Sequence, residues 1–153
     1  MASSANFKHL QAQRINTFTL PVSNTSLTYY LQESESGSII FVNHDVNNNI
    51  TIYLPRLNGR SEDSGINFKF IFITSDGEAD ADNNNVIIKA VNDSISDTNL
   101  IFYSSEANSL KNQVTLSTIR NGTSIDIVTN GTYWFVSDAS NAIAGASLTW
   151  ASV

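Results

Sequence analysis

The feature that most constrains the fold is the alternation of apolar and polar residues in many short segments. From Ile15 onwards these segments are separated by clusters of Asn, Ser, Gly and Asp. A period of two is typical of β-strands that have one buried and one solvated face and are joined by turns. In Ile50–Leu54, for example, Thr51 and Tyr53 share one face and the other three residues share the opposite face. We therefore predict an all-β fold without a long helix.

About ten strands are predicted on this basis, and a short additional strand is predicted at Ser147–Trp150. They are Ile15–Leu20, Leu27–Gln32, Ser38–Asn43, Ile50–Leu54, Asn67–Ile73, Val86–Val91, Leu100–Tyr103, Gln113–Ile119, Ser124–Thr129 and Tyr133–Ser137. Many short strands without intervening helical patterns favour an antiparallel β-sandwich of the jelly-roll type over a parallel sheet. Residues 1–14 are polar and irregular, so we expect an N-terminal arm followed by a single sandwich domain at 15–153.

Two Asn-Gly pairs give the strongest local signals. Asn121-Gly122 and Asn130-Gly131 each lie between alternating apolar segments. Asn-Gly adopts positive φ at both central positions of a tight turn at little cost, so each pair predicts a hairpin. The three segments QVTLSTI, TSIDIVT and TYWFVSD should then form a meander.

Charge and hydropathy exclude two classes of partner. The net charge of -6 repels phosphate backbones, and the eight Lys and Arg residues are scattered, so we expect no nucleic-acid partner. No apolar run reaches the roughly 18 residues that a membrane-spanning helix needs. The first residues lack the apolar stretch of a signal peptide, so we expect a chain that is not secreted by that route.

No catalytic or metal-binding constellation is apparent. Nucleophilic catalysis needs a positioned base, and the only histidines are His9 in the arm and His44 at a strand end. A carboxylate pair is a spatial arrangement, so a glycan-active hydrolase stays an alternative, with Asp126 the clearest carboxylate on a predicted strand. The acidic segment 76–82 has ligands that suit calcium but departs from the EF-hand pattern, and its binding stays open. We expect no enzymatic activity and no cofactor.

Aromatic side chains favour a second hypothesis, a lectin-like module. Flat aromatic faces with nearby Asn and Asp can hold sugar rings, and we select Tyr53 and Trp150 as ligand-facing candidates. For subunit contacts we select Ile71 and Ile73, because the strand that contains them is apolar on both faces, and Trp134, because its strand is also apolar on both faces.

Two internal similarities are present, and one of them is that of NGTSIDIV to NGTYWFV, which begins nine residues later. The segment NNNITIYLP is similar to NNNVIIKAV, which follows it by some thirty residues. We interpret this as the shared composition of Asn-rich turns that precede Ile and Val strands, rather than as a structural repeat.

The order of several segments resembles small β domains from surface and tail components of tailed phages and from structural proteins of giant viruses and virophages. In those proteins a segment ending in I-T-L-P is followed by a Gly and a strand of the y-x-F-I type, and a later strand is followed by D/N-G-x-x-W. The matching residues here are Ile50, Thr51, Leu54, Pro55, Gly65, Phe70, Ile71, Gly131 and Trp134. Tyr53 interrupts the first motif. The resemblance covers about residues 37–138.

This resemblance implies a virion-associated protein without chemistry of its own, located in a virion or in the host cytoplasm. It also implies a homo-oligomer, of which a trimer is the first choice, with other virion proteins or glycans as further partners. Fold alone does not choose among a structural protein, a lectin-like module and a hydrolase.

Overall fold

A computed structural model describes residues 15–20, 26–43, 49–57, 61–73, 85–90, 102–104, 109–117, 119, 121–140 and 147–151. In these ranges the chain forms twelve β-strands and two short 3₁₀ turns, at Glu33–Glu35 and Ser61–Asp63. The strands are β1 (Thr17–Leu20), β2 (Leu27–Tyr30), β3 (Ser38–Asn43), β4 (Ile50–Leu54), β5 (Ser64–Ile73), β6 (Val86–Ala90), β7 (Phe102–Ser104), β8 (Ser109–Lys111), β9 (Gln113–Ser117), β10 (Ser124–Asn130), β11 (Trp134–Ser140) and β12 (Ser147–Ala151). None of the helices described is long and apolar enough to cross a membrane.

The strands form two mixed sheets. The seven-stranded sheet has the order β1-β3-β5-β10-β11-β7-β8, and the five-stranded sheet has the order β12-β9-β6-β4-β2. The all-β prediction is confirmed. The prediction of purely antiparallel pairing is wrong, because five of the ten pairings between described strands are parallel.

The first six strands alternate between the two sheets, which explains the parallel pairing. Strands β1, β3 and β5 are parallel neighbours in one sheet, and β2, β4 and β6 are parallel neighbours in the other. Parallel neighbours need a crossover connection of a dozen or more residues. Here each crossover contains a strand of the opposite sheet instead of a helix. The chain therefore winds in coils, as it does in a β-solenoid.

Successive coils stack in register. Strand β4 aligns with β6 from Ile50 beside Val86 to Leu54 beside Ala90. At the entry to these strands, the Ile50 N–H donates to the carbonyl oxygen of Asn85 at 3.0 Å, and the Asn85 N–H donates to Asn49 Oδ1 at 3.1 Å. The similar segments NNNITIYLP and NNNVIIKAV thus contain two neighbouring, stacked strands.

The later strands close both sheets mainly by antiparallel pairing. Strand β10 pairs with β5 and β11, and β9 pairs with β6 and β12. The predicted β10–β11 hairpin is therefore confirmed, but β9 lies in the other sheet and does not pair with β10. The turn at Asn121-Gly122 connects β9 in the five-stranded sheet to β10 in the seven-stranded sheet. It is bonded to the end of β5, since the Gly122 N–H donates to Phe72 O and the Phe72 N–H donates to Thr123 O, both at 2.9 Å.

The β10–β11 hairpin is set by Asn130-Gly131. Thr129 is opposite Trp134, and the Asn130 N–H donates to Tyr133 O at 3.2 Å, so Gly131 and Thr132 form the two-residue loop. Gly131 has a φ of 93°, which favours glycine. The Asn130 side-chain oxygen accepts the N–H groups of Thr132 and Tyr133 at 3.0 and 2.8 Å. This side chain thereby satisfies loop donors that would otherwise need water.

The inner faces of the two sheets share one hydrophobic core. Phe68, Phe70 and Phe72 of β5 are all buried, and so are Ile52 and Ile88 of the other sheet. Fully burying a side chain of this size contributes about 1.5–3 kcal/mol relative to leaving it exposed. Strand β5 has β3 on one side and β10 on the other, so it lies inside the seven-stranded sheet and not at its edge.

Candidate functional site

The outer face of the seven-stranded sheet carries two of the predicted interface residues. Ile71 and Ile73 alternate with the buried phenylalanines of β5 and are partly exposed. Phe41 of β3 lies beside Ile71 in the register. We use the name apolar face for the partly exposed residues Ile39, Phe41, Ile71, Ile73 and Val128, which point away from the core on adjacent strands.

An ion pair lies within this apolar face. Lys69 Nζ lies 3.1 Å from Asp126 Oδ1 and 3.2 Å from Oδ2, and the two side chains are 39% and 32% exposed. Ion pairs with this exposure contribute about 0–1 kcal/mol to stability. Lys69 is the one charged residue of β5 and Asp126 is the one charged residue of β10, so the charges of these two strands compensate each other. Asp126, the carboxylate of the hydrolase hypothesis, lies opposite Lys69 of β5 on one side and opposite Asp138 of β11 on the other. The ion pair with Lys69 is the contact that the described side chains show.

The third predicted interface residue lies elsewhere. Trp134 is completely buried, and its ring centroid lies 6.1 Å from that of Phe68. Its Nε1 has no hydrogen-bond acceptor in the described part of the chain. A subunit cannot reach this side chain in the folded protein, so Trp134 is a core residue and we withdraw it from the interface set. The alternation in β11 indicated two apolar faces correctly, but periodicity alone does not tell which face is inside.

The outer face of the five-stranded sheet carries Tyr53, the first ligand-facing candidate. Its ring stacks on that of Tyr30, with centroids 4.7 Å apart and an interplanar angle of 8°. Lys89 Nζ lies 6.0 Å from the centroid of the Tyr53 ring. We call Tyr30 and Tyr53 the tyrosine stack. It exists because β2 and β4 are parallel and in register, which sets the two tyrosines side by side on adjacent coils.

A groove of about 430 Å³ opens beside the tyrosine stack, where the chain leaves β2 and β4. Its lining includes Tyr30 and the polar residues Gln32, Glu33, Ser34 and Arg56. Volumes of about 300–1,000 Å³ are usual for small-molecule sites. The groove is therefore large enough for a ligand of one or two rings.

Residues 31–35 form the corner that follows β2, and this corner is one wall of the groove. Glu35 holds it in place. The Tyr29 hydroxyl donates to Glu35 Oε1 at 2.9 Å, and the Gln32 N–H donates to Oε2 at 2.7 Å. Burial raises the pKa of Tyr29 above its ordinary value of 10.0, and the hydrogen bond to Glu35 and the charge of Glu35 raise it further. Both oxygens of Glu35 are thus engaged in positioning the chain at this corner.

The remaining candidates lie, as whole residues or with their side chains, outside the part of the chain that the structure describes. Trp150 lies in β12 opposite Val114 of β9, but its side chain is outside the described part of the structure. The proposed arm 1–14 with His9, as well as His44 and the acidic segment 76–82, also lies outside the described residues. Within the described ranges, no three His, Asp or Glu side chains come together as a metal site would require.

Sequence reasoning selected Tyr53 but missed its pairing with Tyr30. A signal was present, since the pattern Thr-x-Tyr-Leu occurs twice, at 28–31 where β2 ends and at 51–54 in β4. Aligning the two would have required the hypothesis of stacked coils. No family model matches the chain, and a search of curated proteins finds no match.

Proposed function

We propose that this chain is a non-enzymatic structural protein that self-assembles through its apolar face into a homo-oligomer, with a trimer as the first choice. The observation that carries the proposal is the alignment of Ile39, Phe41, Ile71 and Ile73 on the outside of one sheet. Exposed apolar residues that lie singly on a surface need no explanation, whereas contiguous apolar patches mark interaction sites.

The make-up of the face suits a subunit contact. Burial of apolar surface contributes about 25 cal/mol per Å², and stable interfaces bury about 800 Å² on each partner. Charges are depleted at the centres of such interfaces. Here the charges of Lys69 and Asp126 compensate each other at 3.1 Å, so burying them together costs less than burying either one alone.

The place of assembly is a virion, as a surface or capsid-associated component. This part of the proposal rests on the resemblance to phage, giant-virus and virophage proteins across about residues 37–138. A sandwich-like body without chemistry of its own fits that role, since it acts through shape and contact area. In a particle, other virion proteins are the further partners.

The test is the solution mass of the purified chain, measured by light scattering at several concentrations. Ile71→Lys should convert the oligomer to a folded monomer, because an ammonium group would have to be buried without a partner. Ile87→Lys is the matched control, since Ile87 is a partly exposed isoleucine on the outer face of the other sheet. It adds the same charge and should leave the mass unchanged.

Two results would contradict the proposal. One is a wild-type mass that stays monomeric over the whole concentration range. The other is an Ile71→Lys variant with the wild-type oligomeric mass. Circular dichroism of both variants shows whether a loss of mass reflects unfolding rather than a lost contact.

A further inference from the structure

The ring of Tyr30 has one free face. Its other face lies on Tyr53, and β2 is the outer strand of its sheet, so none of the described strands lies beyond it. The residue is 59% exposed, and Ile15 is the one other large hydrophobic residue with comparable exposure in the described ranges. A flat apolar surface is thus presented to solvent at the edge of the groove.

Polar groups without internal partners lie next to this ring. In the described part of the chain, the Tyr30 hydroxyl and the side chains of Glu33 and Ser34 make no hydrogen bond to the protein. The neighbouring Glu35 is different, because both of its oxygens accept hydrogen bonds. The groove therefore combines a rigid corner with donors and acceptors that are available to a ligand.

We propose that the tyrosine stack and this groove bind a neutral glycan, with a pyranose ring packed on the free face of Tyr30. Ligand sites combine apolar surface with a few polar groups that fix orientation. A pyranose matches this combination, because its C–H face is apolar and its hydroxyl groups both donate and accept. The Glu33 carboxylate accepts hydrogen bonds from the hydroxyls of the sugar, the Ser34 hydroxyl donates to them or accepts from them, and Arg56 also lines the groove.

The charges select a neutral ligand. Glu33 lines the groove and Glu35 lies at its corner, whereas Arg56 is the one cationic residue in the lining. The acidic residues disfavour a sialylated or sulfated glycan. Stacking of Tyr30 on Tyr53 fixes the ring before binding, which lowers the conformational entropy that a ligand must otherwise remove.

Binding is tested by saturation-transfer NMR with the full chain and a panel of neutral oligosaccharides of glucose, galactose, mannose and N-acetylglucosamine. Tyr30→Ala should weaken binding about tenfold, as the loss of one stacked ring predicts. Tyr30→Phe keeps the ring and should retain most of the affinity. Tyr133→Ala is the control, because it removes a partly exposed tyrosine next to the β10–β11 loop of the other sheet.

The proposal is supported if at least one oligosaccharide binds and the variants follow this order. It is overturned if no member of the panel binds or if binding survives Tyr30→Ala. The result is independent of the proposed assembly. Tyr30 lies on the five-stranded sheet, so its variants should keep the oligomeric mass of the wild type, and Ile71→Lys should keep glycan binding.

Discussion

The coiled half of the molecule, β1 to β6, and the closing half, β7 to β12, fix strand register in different ways. In the coiled half, like residues stack across parallel strands, as Tyr30 does on Tyr53, and Asn49 accepts a bond from the backbone of Asn85. In the closing half, the hairpin at Asn130-Gly131 sets the register by its own hydrogen bonds. A short turn acts locally, whereas stacking requires residues that are far apart in sequence.

The difference teaches where each half is sensitive to mutation. The geometry of a turn depends on one or two residues, so a single substitution there lowers the free energy of unfolding by a predictable amount. Stacked coils distribute register over many weak contacts, and each contact contributes little alone. Strand β5 belongs to both systems, because it is parallel to β3 and antiparallel to β10.

The largest loss of stability should come from Phe70→Ala in β5, the strand that joins the two halves. Phe70 is completely buried on β5, and such a truncation costs about 3–5 kcal/mol of unfolding free energy. We expect one cooperative transition in chemical denaturation, shifted as a whole. Lys69→Ala, next to it but outward-facing, should cost less than about 1 kcal/mol. Two separate transitions, with only one shifted, would show that the halves unfold independently.

Substitution of glycines that have a positive φ should give the next largest loss of stability, and the loss should be of similar size in the two halves. Gly131→Ala and Gly37→Ala each place a Cβ in the left-handed region, at φ of 93° and 78°, which costs about 1–2 kcal/mol. At Gly37 nothing lies within 4 Å of the added Cβ, so its cost is conformational alone. Equilibrium denaturation measures both. A Gly37→Ala variant as stable as wild type would argue against this turn geometry.

A smaller loss of stability is expected when a hydrogen bond between stacked coils is removed at Asn49. Asn49→Ala removes the acceptor of the Asn85 N–H, a bond of 3.1 Å, and should cost about 0.5–1.5 kcal/mol. Asn85→Ala is a matched control, because Asn85 contributes its backbone to that bond and keeps it. Equal destabilisation by the two substitutions would mean that the bond does not hold the coils together.

The smallest effect should appear as a pH dependence. The pKa of Tyr29 is raised in the folded chain, so its stabilising contribution is complete below pH 10, the unfolded value, and is lost as the pH rises through the folded pKa. Stability measured between pH 8 and pH 11 should therefore fall less steeply in Tyr29→Phe than in wild type. An identical slope would show that Tyr29 does not titrate with folding.

The alternation of residues predicted the strands well, and β3 and β4 begin and end where the sequence indicated. Partners were harder to predict, because a period of two reports which face is buried and says nothing about the direction of the neighbouring strand. The repeated Asn-Asn-Asn segments contained that information, but only through the assumption of stacked coils. At the candidate sites, Ile71, Ile73 and Tyr53 do face outward, whereas Trp134 is in the core. The sequence did not predict the position of Trp134, because both faces of its strand are apolar.

The register of β4 on β6 makes the coil a unit of length. Because neighbouring coils align residue for residue, an added coil would meet the same contacts above and below as those already present. Related chains can then gain or lose whole coils while the closing half keeps its sequence and structure. Each added coil would widen the outer surface that carries the tyrosine stack by one strand spacing, about 4.8 Å.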